Sequence, residues 1–164
     1  MSEVTRLPKR SEVPLELTWD LTKIFATDAE FEEAFGQVVK AAEDFEQYKG
    51  TLENGAQAFL VALMAMLKLD RQLEVVYVYA SMKNDEDTAN AKYQALMARV
   101  QKLLADVSAK LAWFQPELLA LAPEKLASYY QAEPRLNAYK TLVNDWTRLR
   151  AHVLSEKEEA LLAG

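Results

Sequence analysis

The stretch that decides the fold is AQAFLVALMAMLKLDRQLEVVYVYASM, which occupies residues 56–82. Neither glycine nor proline occurs between Gly55 and Pro116. Because these two residue types are the usual breaks in helical patterns, their absence favours long, uninterrupted helices. The run at 75–79 has local strand propensity, but the helical period continues through it. We therefore predict one helix over residues 56–82, apolar nearly all round at its start and buried centrally there.

Apolar residues on both sides of this stretch recur every three or four positions, as on one face of a helix. The first such helix starts at Thr27, which has capping-box spacing to Glu30, and stops before Gly50. Its apolar face comprises Phe31, Phe35, Val38, Ala42, Phe45 and Tyr48. After a turn and cap at residues 84–88, the next face comprises Tyr93, Leu96, Val100, Leu103, Val107, Leu111 and Phe114. Two long helices joined by a short turn predict an antiparallel hairpin.

Prolines mark the remaining elements. Pro116 and Pro123 each fit the first turn of a short helix, and a longer helix is expected after Pro134. Residues 1–26 form an extended lead segment, whose expected apolar anchors are Leu15, Leu17, Trp19, Leu21, Ile24 and Phe25. The predicted fold is an all-α helical bundle with a long antiparallel helix hairpin. Residues 27–164 form this helical lobe, and residues 1–26 pack on it.

Composition limits the classes of function. Hydrophobic residues make up 51% and charged residues 27% of the 164-residue chain, which is typical of one globular domain. The net charge of −6 repels phosphate backbones, so we expect no nucleic-acid partner. The longest apolar run, residues 58–67, is too short to span a bilayer, and no signal-peptide core follows the N-terminus. We therefore expect a cytoplasmic protein that has no membrane partner.

Catalytic chemistry is not supported by the residue inventory. The chain has no cysteine and a single histidine, His152, so it can supply neither a Cys–His pair nor the two histidines of H-E-x-x-H. His152 is interpreted as a surface residue at a helix end. The acidic run at 85–87 loosely resembles a calcium loop, but Asn90 and Leu96 stand where glycine and glutamate are needed. We predict no catalytic, cofactor-binding or metal-ligating residue, and no cofactor in these 164 residues.

The last residues of the chain are predicted to begin a helix that is very short. Ser155 and Glu158 have capping-box spacing, but the chain stops at Gly164, barely two turns later. Isolated helices this short are marginal in water. This pattern predicts a chain cut from a longer protein.

Four segments resemble, in the same order, the oligoendopeptidase F branch of the thimet-oligopeptidase-like metallopeptidases. They are RSEVPLELTWDLTKIF at 10–25, YASMKNDEDTAN at 79–90 followed by YQ at 93–94, FQPELL at 114–119, and RLRAHVLSEKEEALLA at 148–163. In that family the zinc ligands belong to a catalytic region that follows this one. The resemblance implies that zinc is bound there, and that this chain is a non-catalytic lobe forming a wall or lid of the channel that admits short peptides.

The expected partners are therefore the chain's own C-terminal catalytic domain and, in the full-length enzyme, short peptide substrates. Two other interpretations stay open on the sequence. One is a free-standing helical bundle that binds a partner helix or peptide in a groove. The other is a structural, self-associating helical protein. A homo-oligomer is compatible with all three interpretations.

Overall fold

The computed structural model describes residues 8–148 of the chain. These residues form helices and connecting turns, with no β-strand among them. The α-helices are α1 (Asp28–Phe45), α2 (Ala56–Glu86), α3 (Ala91–Leu111), α4 (Phe114–Ala120), α5 (Pro123–Ala132) and α6 (Lys140–Thr147). The predicted all-α class is confirmed. No helix in this part of the chain is both long and apolar enough to cross a membrane.

The start of α1 is capped close to where the sequence predicts. The backbone N–H of Glu30 donates to Oγ1 of Thr27 at 3.2 Å, as the first half of a capping box requires. The return bond is displaced by one residue, because Ala26 N–H donates to Oε2 of Glu30 at 2.8 Å. The predicted apolar face is confirmed at Phe31 and Val38, which are buried.

The long hairpin is confirmed, although α2 runs on to Glu86, through part of the turn expected at 84–88. The continuation is held by Glu86, which pairs with Lys83 at 3.7 Å and Arg10 at 3.0 Å. Helix α3 begins after Asn90, whose Oδ1 accepts a bond from the backbone N–H of Lys92 at 3.0 Å. The residues of the predicted strand-like run at 75–79 are helical.

The described chain divides into two compact units. The first contains residues 8–44 and 67–110, and the second contains residues 45–66 and 111–148. The core of the first is built from one face each of α1, α2 and α3. Its buried side chains include Phe31, Val38, Leu69, Leu73, Val76, Val100, Leu103 and Val107. The boundary predicted between the lead segment, residues 1–26, and the helical lobe, residues 27–164, remains a prediction.

The core of the second unit joins the start of α2 to the short helices. Its buried side chains include Phe45, Leu52, Phe59, Leu60, Leu63, Phe114, Leu118, Leu126, Leu136 and Val143. Aromatic rings pack within this unit: Phe45 stacks on Trp113 at 5.2 Å, and Trp146 meets Phe114 edge-on at 6.1 Å. Pro123 occupies the first turn of α5, as predicted.

Two sequence expectations are wrong in the second unit. The helix expected after Pro134 begins as a 3₁₀ helix, Pro134–Tyr139, because the side-chain amide of Asn137 donates to the Pro134 carbonyl, an acceptor that an α-helix would use. The start of α2 is not buried all round, since Val61 and Met64 are exposed. One flank of this part of the helix is therefore partly exposed.

The lead segment is irregular, as predicted, and contains three 3₁₀ turns: Arg10–Glu12, Leu15–Leu17 and Leu21–Lys23. The last turn is capped by Asp20, whose Oδ1 accepts from Thr22 N–H at 3.3 Å. Of the six expected apolar anchors, only Leu21 is buried, and Ile24 and Phe25 are half-buried. The expectation is wrong for the other three, which lie on the surface.

Candidate functional site

The lead-segment surface, defined here as Leu15, Leu17 and Trp19, contains the three most exposed large hydrophobic residues of the described chain. Leu15 is 81% exposed, Leu17 is 74% exposed and Trp19 is 54% exposed. Single exposed apolar residues are ordinary in proteins, but here three occur within five positions, and two of them, Leu15 and Trp19, line the same cleft. The sequence signal that could have identified it is the spacing of two between these residues in a segment with no helical period.

This surface borders a cleft of about 650 Å³ in the first unit. Leu15, Trp19 and Leu21 supply its apolar lining from the lead segment. The polar lining includes Arg10, Glu16, Asp20, Thr22, Lys83 and Glu86. Hydrogen bonding to Thr22 and the nearby Lys23 ammonium hold the pKa of Asp20 below its ordinary range, so Asp20 is a carboxylate at neutral pH. The cleft is therefore lined by charged side chains that are mostly covered, such as Lys83 and Glu86, and by the more exposed apolar side chains of Leu15 and Trp19.

A second, smaller cleft of about 250 Å³ lies between α1, α2 and α3 of the first unit. Two ion pairs connect α1 to α3 across it. Lys92 Nζ lies 2.6 Å from Oδ2 of Asp28, and the Arg99 guanidinium donates to both oxygens of Glu32 at 2.7 and 2.8 Å. The bond from Arg99 lowers the pKa of Glu32, and the bond to Asp28 raises the pKa of Lys92.

Aromatic rings line the floor of this second cleft. Tyr79 packs between Phe25 at 5.1 Å and Phe31 at 5.4 Å, and burial raises the pKa of its phenol. Lys83 Nζ lies 5.7 Å from the ring centres of both Tyr79 and Tyr93. The carboxylates of Asp28 and Glu32 are thus paired with cations, and Tyr79 stays protonated. The two ion pairs clamp α1 against α3.

The described residues contain no group of three or more His, Asp or Glu side chains arranged to hold a metal ion. The acidic run at 85–87 lies at the end of α2, where Glu86 is already paired with Arg10 and Lys83. A zinc ion therefore does not fit residues 8–148. His152 and the capping pair Ser155 and Glu158 lie outside the described residues.

Comparison with known proteins identifies the family. The family model described as Oligopeptidase F matches residues 117–164. The Group B oligopeptidase PepB of Streptococcus agalactiae is 39% identical to this chain over 155 residues, which are 94% of the chain. The chain belongs to the oligoendopeptidase F family. The resemblance predicted from four sequence segments is confirmed.

The chain spans about a quarter of the length of the curated relatives it matches. The alignment covers 26% of PepB; for Oligopeptidase PepF of Bacillus subtilis it covers 98% of this chain and 24% of the relative, at 36% identity. The crystal structure of oligoendopeptidase-F from Enterococcus faecium matches 84% of this chain with 26% of its own, at 44% identity and a TM-score of 0.73. The chain thus corresponds to the N-terminal region of the oligoendopeptidase F family.

A more distant structure shares the fold. A putative peptidase from Chlamydophila abortus superposes on 96% of this chain and 27% of its own with a TM-score of 0.78, at 22% identity. The helical arrangement is thus retained where most of the sequence has changed.

Proposed function

We propose that this chain is the non-catalytic N-terminal lobe of a zinc-dependent oligoendopeptidase that hydrolyses short peptides. The observation that supports the proposal is the alignment of nearly the whole chain with only a quarter of its oligopeptidase relatives. The cleavage chemistry then belongs to the remaining three-quarters. In this proposal residues 27–164 form the lobe and residues 1–26 form its lead segment.

The role of the lobe is geometric. A rigid helical wall beside the catalytic region limits access to an extended, short peptide and excludes folded proteins. Closure of such a wall or lid also excludes water and orients the substrate. Rigidity is supported by the clamp between α1 and α3, in which the Arg99–Glu32 pair has the planar two-bond geometry that fixes orientation best.

Zinc binding is assigned to the part of the longer polypeptide outside this chain. The described residues do not supply a metal-ligand cluster, which is consistent with that assignment for residues 8–148. The proposed partners of the lobe are therefore its own catalytic domain and the peptide in the channel.

A peptidase assay tests this proposal. The 164-residue chain and the product of the complete reading frame that contains it are each incubated with a fluorogenic peptide of about ten residues and with a folded protein. We expect no cleavage by the 164-residue chain, and cleavage of the peptide alone by the longer product, abolished by a zinc chelator. Chelator-sensitive cleavage by the 164-residue chain would overturn the proposal, as would a longer product that is inactive on peptides.

A free-standing peptide-binding module is the second candidate. A groove of about 340 Å³ between α1 and α3 favours it, because Val39, Ala42, Leu103 and Val107 form an apolar base beside charged residues. Helix-binding proteins use grooves of this type. Saturable binding of an amphipathic helical peptide by the 164-residue chain, lost in Val39→Gln, would favour this function over the first.

A further inference from the structure

The side chains of the lead-segment surface are more exposed than the other large apolar side chains of the described residues. Leu15 and Leu17 are the two most exposed large hydrophobic residues of the described chain, at 81% and 74%. The next, Trp19, carries the large, rigid side chain that most often dominates protein interfaces. Constant exposure of such groups to water is unfavourable, so a permanent cover stabilises the protein.

The backbone beneath these side chains is fixed. Leu17 N–H donates to the Pro14 carbonyl at 3.0 Å, and the hydroxyl of Thr18 donates to the Leu15 carbonyl at 2.7 Å. On one side the segment is tied down by the Arg10–Glu86 ion pair at 3.0 Å. On the other, the buried side chain of Leu21 anchors it. A surface held in this way loses little conformational entropy when a partner binds.

The adjoining cleft is also charged. Arg10, Lys83 and Glu86 line it with side chains that are 32%, 23% and 11% exposed, and Glu86 pairs with both cations. Specific protein interfaces combine apolar contacts with a number of hydrogen bonds, and this surface offers apolar and charged groups side by side. These charges also disfavour a lipid surface, since they are of both signs.

We propose that the lead-segment surface is the docking site for the portion of the oligoendopeptidase polypeptide that lies outside this chain. This inference rests on the proposed function and adds the location of the contact. About three-quarters of each relative's length has no counterpart here, which is ample to cover the surface. A peptide substrate is a poorer occupant, because it leaves after each turnover and would expose the two leucines again.

Cysteine labelling tests the proposal directly, because the 164-residue chain contains no cysteine. Leu17→Cys is prepared in the 164-residue chain and in the complete reading-frame product, and the rate of maleimide labelling at position 17 is followed by peptide mass mapping. The matched control is Arg71→Cys, since the Arg71 side chain is 75% exposed on α2. We expect labelling at position 17 to be at least about tenfold slower in the longer protein, and labelling at position 71 to change less than about threefold, because burial blocks thiol access.

Three outcomes would overturn the docking proposal. Labelling at position 17 that is equally fast in both proteins would show that the surface stays open. Protection in the 164-residue chain that increases with its concentration would indicate a second copy as the occupant. Protection of the 164-residue chain by a short peptide alone would indicate substrate. Because peptidase activity of the longer product is measured separately, an active enzyme with a fast-labelling position 17 would contradict the docking site without contradicting the proposed function.

A second measurement avoids any substitution. Hydrogen exchange of the unsubstituted proteins is compared for backbone amides of residues 10–23. We expect this segment to exchange at least about tenfold more slowly in the longer protein, because docking suppresses its local opening. Equal exchange in both proteins would contradict the proposal even if Leu17→Cys perturbs folding.

Discussion

At the scale of single residues, two side chains of the second unit hold the connection between α1 and α2. The carboxylate of Glu117 accepts the backbone N–H groups of Gly50 and Leu52, each at 2.8 Å. The hydroxyl of Tyr129 lies within hydrogen-bond distance of the Leu52 carbonyl at 3.1 Å and the Glu53 carbonyl at 3.0 Å. Backbone groups outside regular helices need such partners when they are removed from water. These two residues therefore fix the path of the chain between the helices.

Replacing Tyr129 by phenylalanine removes the hydroxyl and keeps the ring. We expect Tyr129→Phe to lower the free energy of unfolding by about 1–2 kcal/mol, because buried carbonyl oxygens lose their partner. The matched control is Tyr77→Phe, which alters a ring that is 37% exposed and should change stability by less than about 0.5 kcal/mol. Urea unfolding followed by circular dichroism measures both variants. Equal stabilities of the two would mean that the hydroxyl bonds do not stabilise the connection.

At the scale of the element, two glycines have opposite effects on stability, one inside helix α1 and one in the connection that follows it. Gly36 lies inside α1, and a Cβ added there meets nothing within 4 Å. Gly50 lies in the connection after the helix and has φ = 76°, in the left-handed region. Gly50 has the left-handed conformation that favours glycine at a helix stop, although α1 itself ends at Phe45 and a 3₁₀ turn, Glu46–Tyr48, precedes Gly50. Gly36, in contrast, weakens the helix, because glycine has more backbone freedom to lose on folding.

Alanine at each position should therefore have opposite effects. We expect Gly36→Ala to raise the free energy of unfolding by about 0.5–1 kcal/mol. Gly50→Ala should lower it by about 1–2 kcal/mol, since alanine is strained at positive φ. Each variant serves as the control for the other in one set of urea unfolding curves. A stabilising effect of Gly50→Ala would show that the turn relaxes to another conformation.

At the scale of the whole molecule, ion pairs couple stability to pH. The pKa values of Glu32, Glu53 and Glu133 lie below their ordinary values, chiefly because side-chain bonds from Arg99, Lys125 and Arg135 respectively favour the charged forms. For Glu133 the pKa falls from 4.5 to about 2. A lowered folded-state pKa means that the unfolded chain binds protons first as the pH falls. The contribution of each pair is thus complete above the unfolded-state pKa and is lost in acid.

We expect the stability of the protein to decrease as the pH falls from about 4.5 towards 2, the interval set by Glu133. Glu133→Gln should reduce the slope of stability against pH in this interval, and Arg135→Gln should reduce it similarly because it removes the cation of the same pair. Thermal unfolding midpoints measured from pH 6 to pH 2.5 give the slopes. Curves that run parallel to that of the unsubstituted protein would contradict this account.

Much of the fold is encoded locally. The apolar period of α1 and α3 and the absence of breakers in α2 specify where these helices lie, because a helix needs only its own backbone bonds and one buried face. The expectation is wrong for residues 134–139, where the side chain of Asn137 donates to the Pro134 carbonyl and competes with the α-helical bond to that oxygen. That outcome depends on side-chain bonds, which hydrophobic periodicity does not represent.

The sequence alone determined the all-α class, the hairpin and the family, because periodicity, breakers and segment identity are all properties of the linear chain. Only the tertiary structure decided which apolar side chains are buried. Leu21 and Leu17 have the same chemistry and lie four residues apart, yet one is 4% and the other 74% exposed. The physical reason is that burial depends on which neighbouring elements pack against a residue, and those neighbours come from distant parts of the chain.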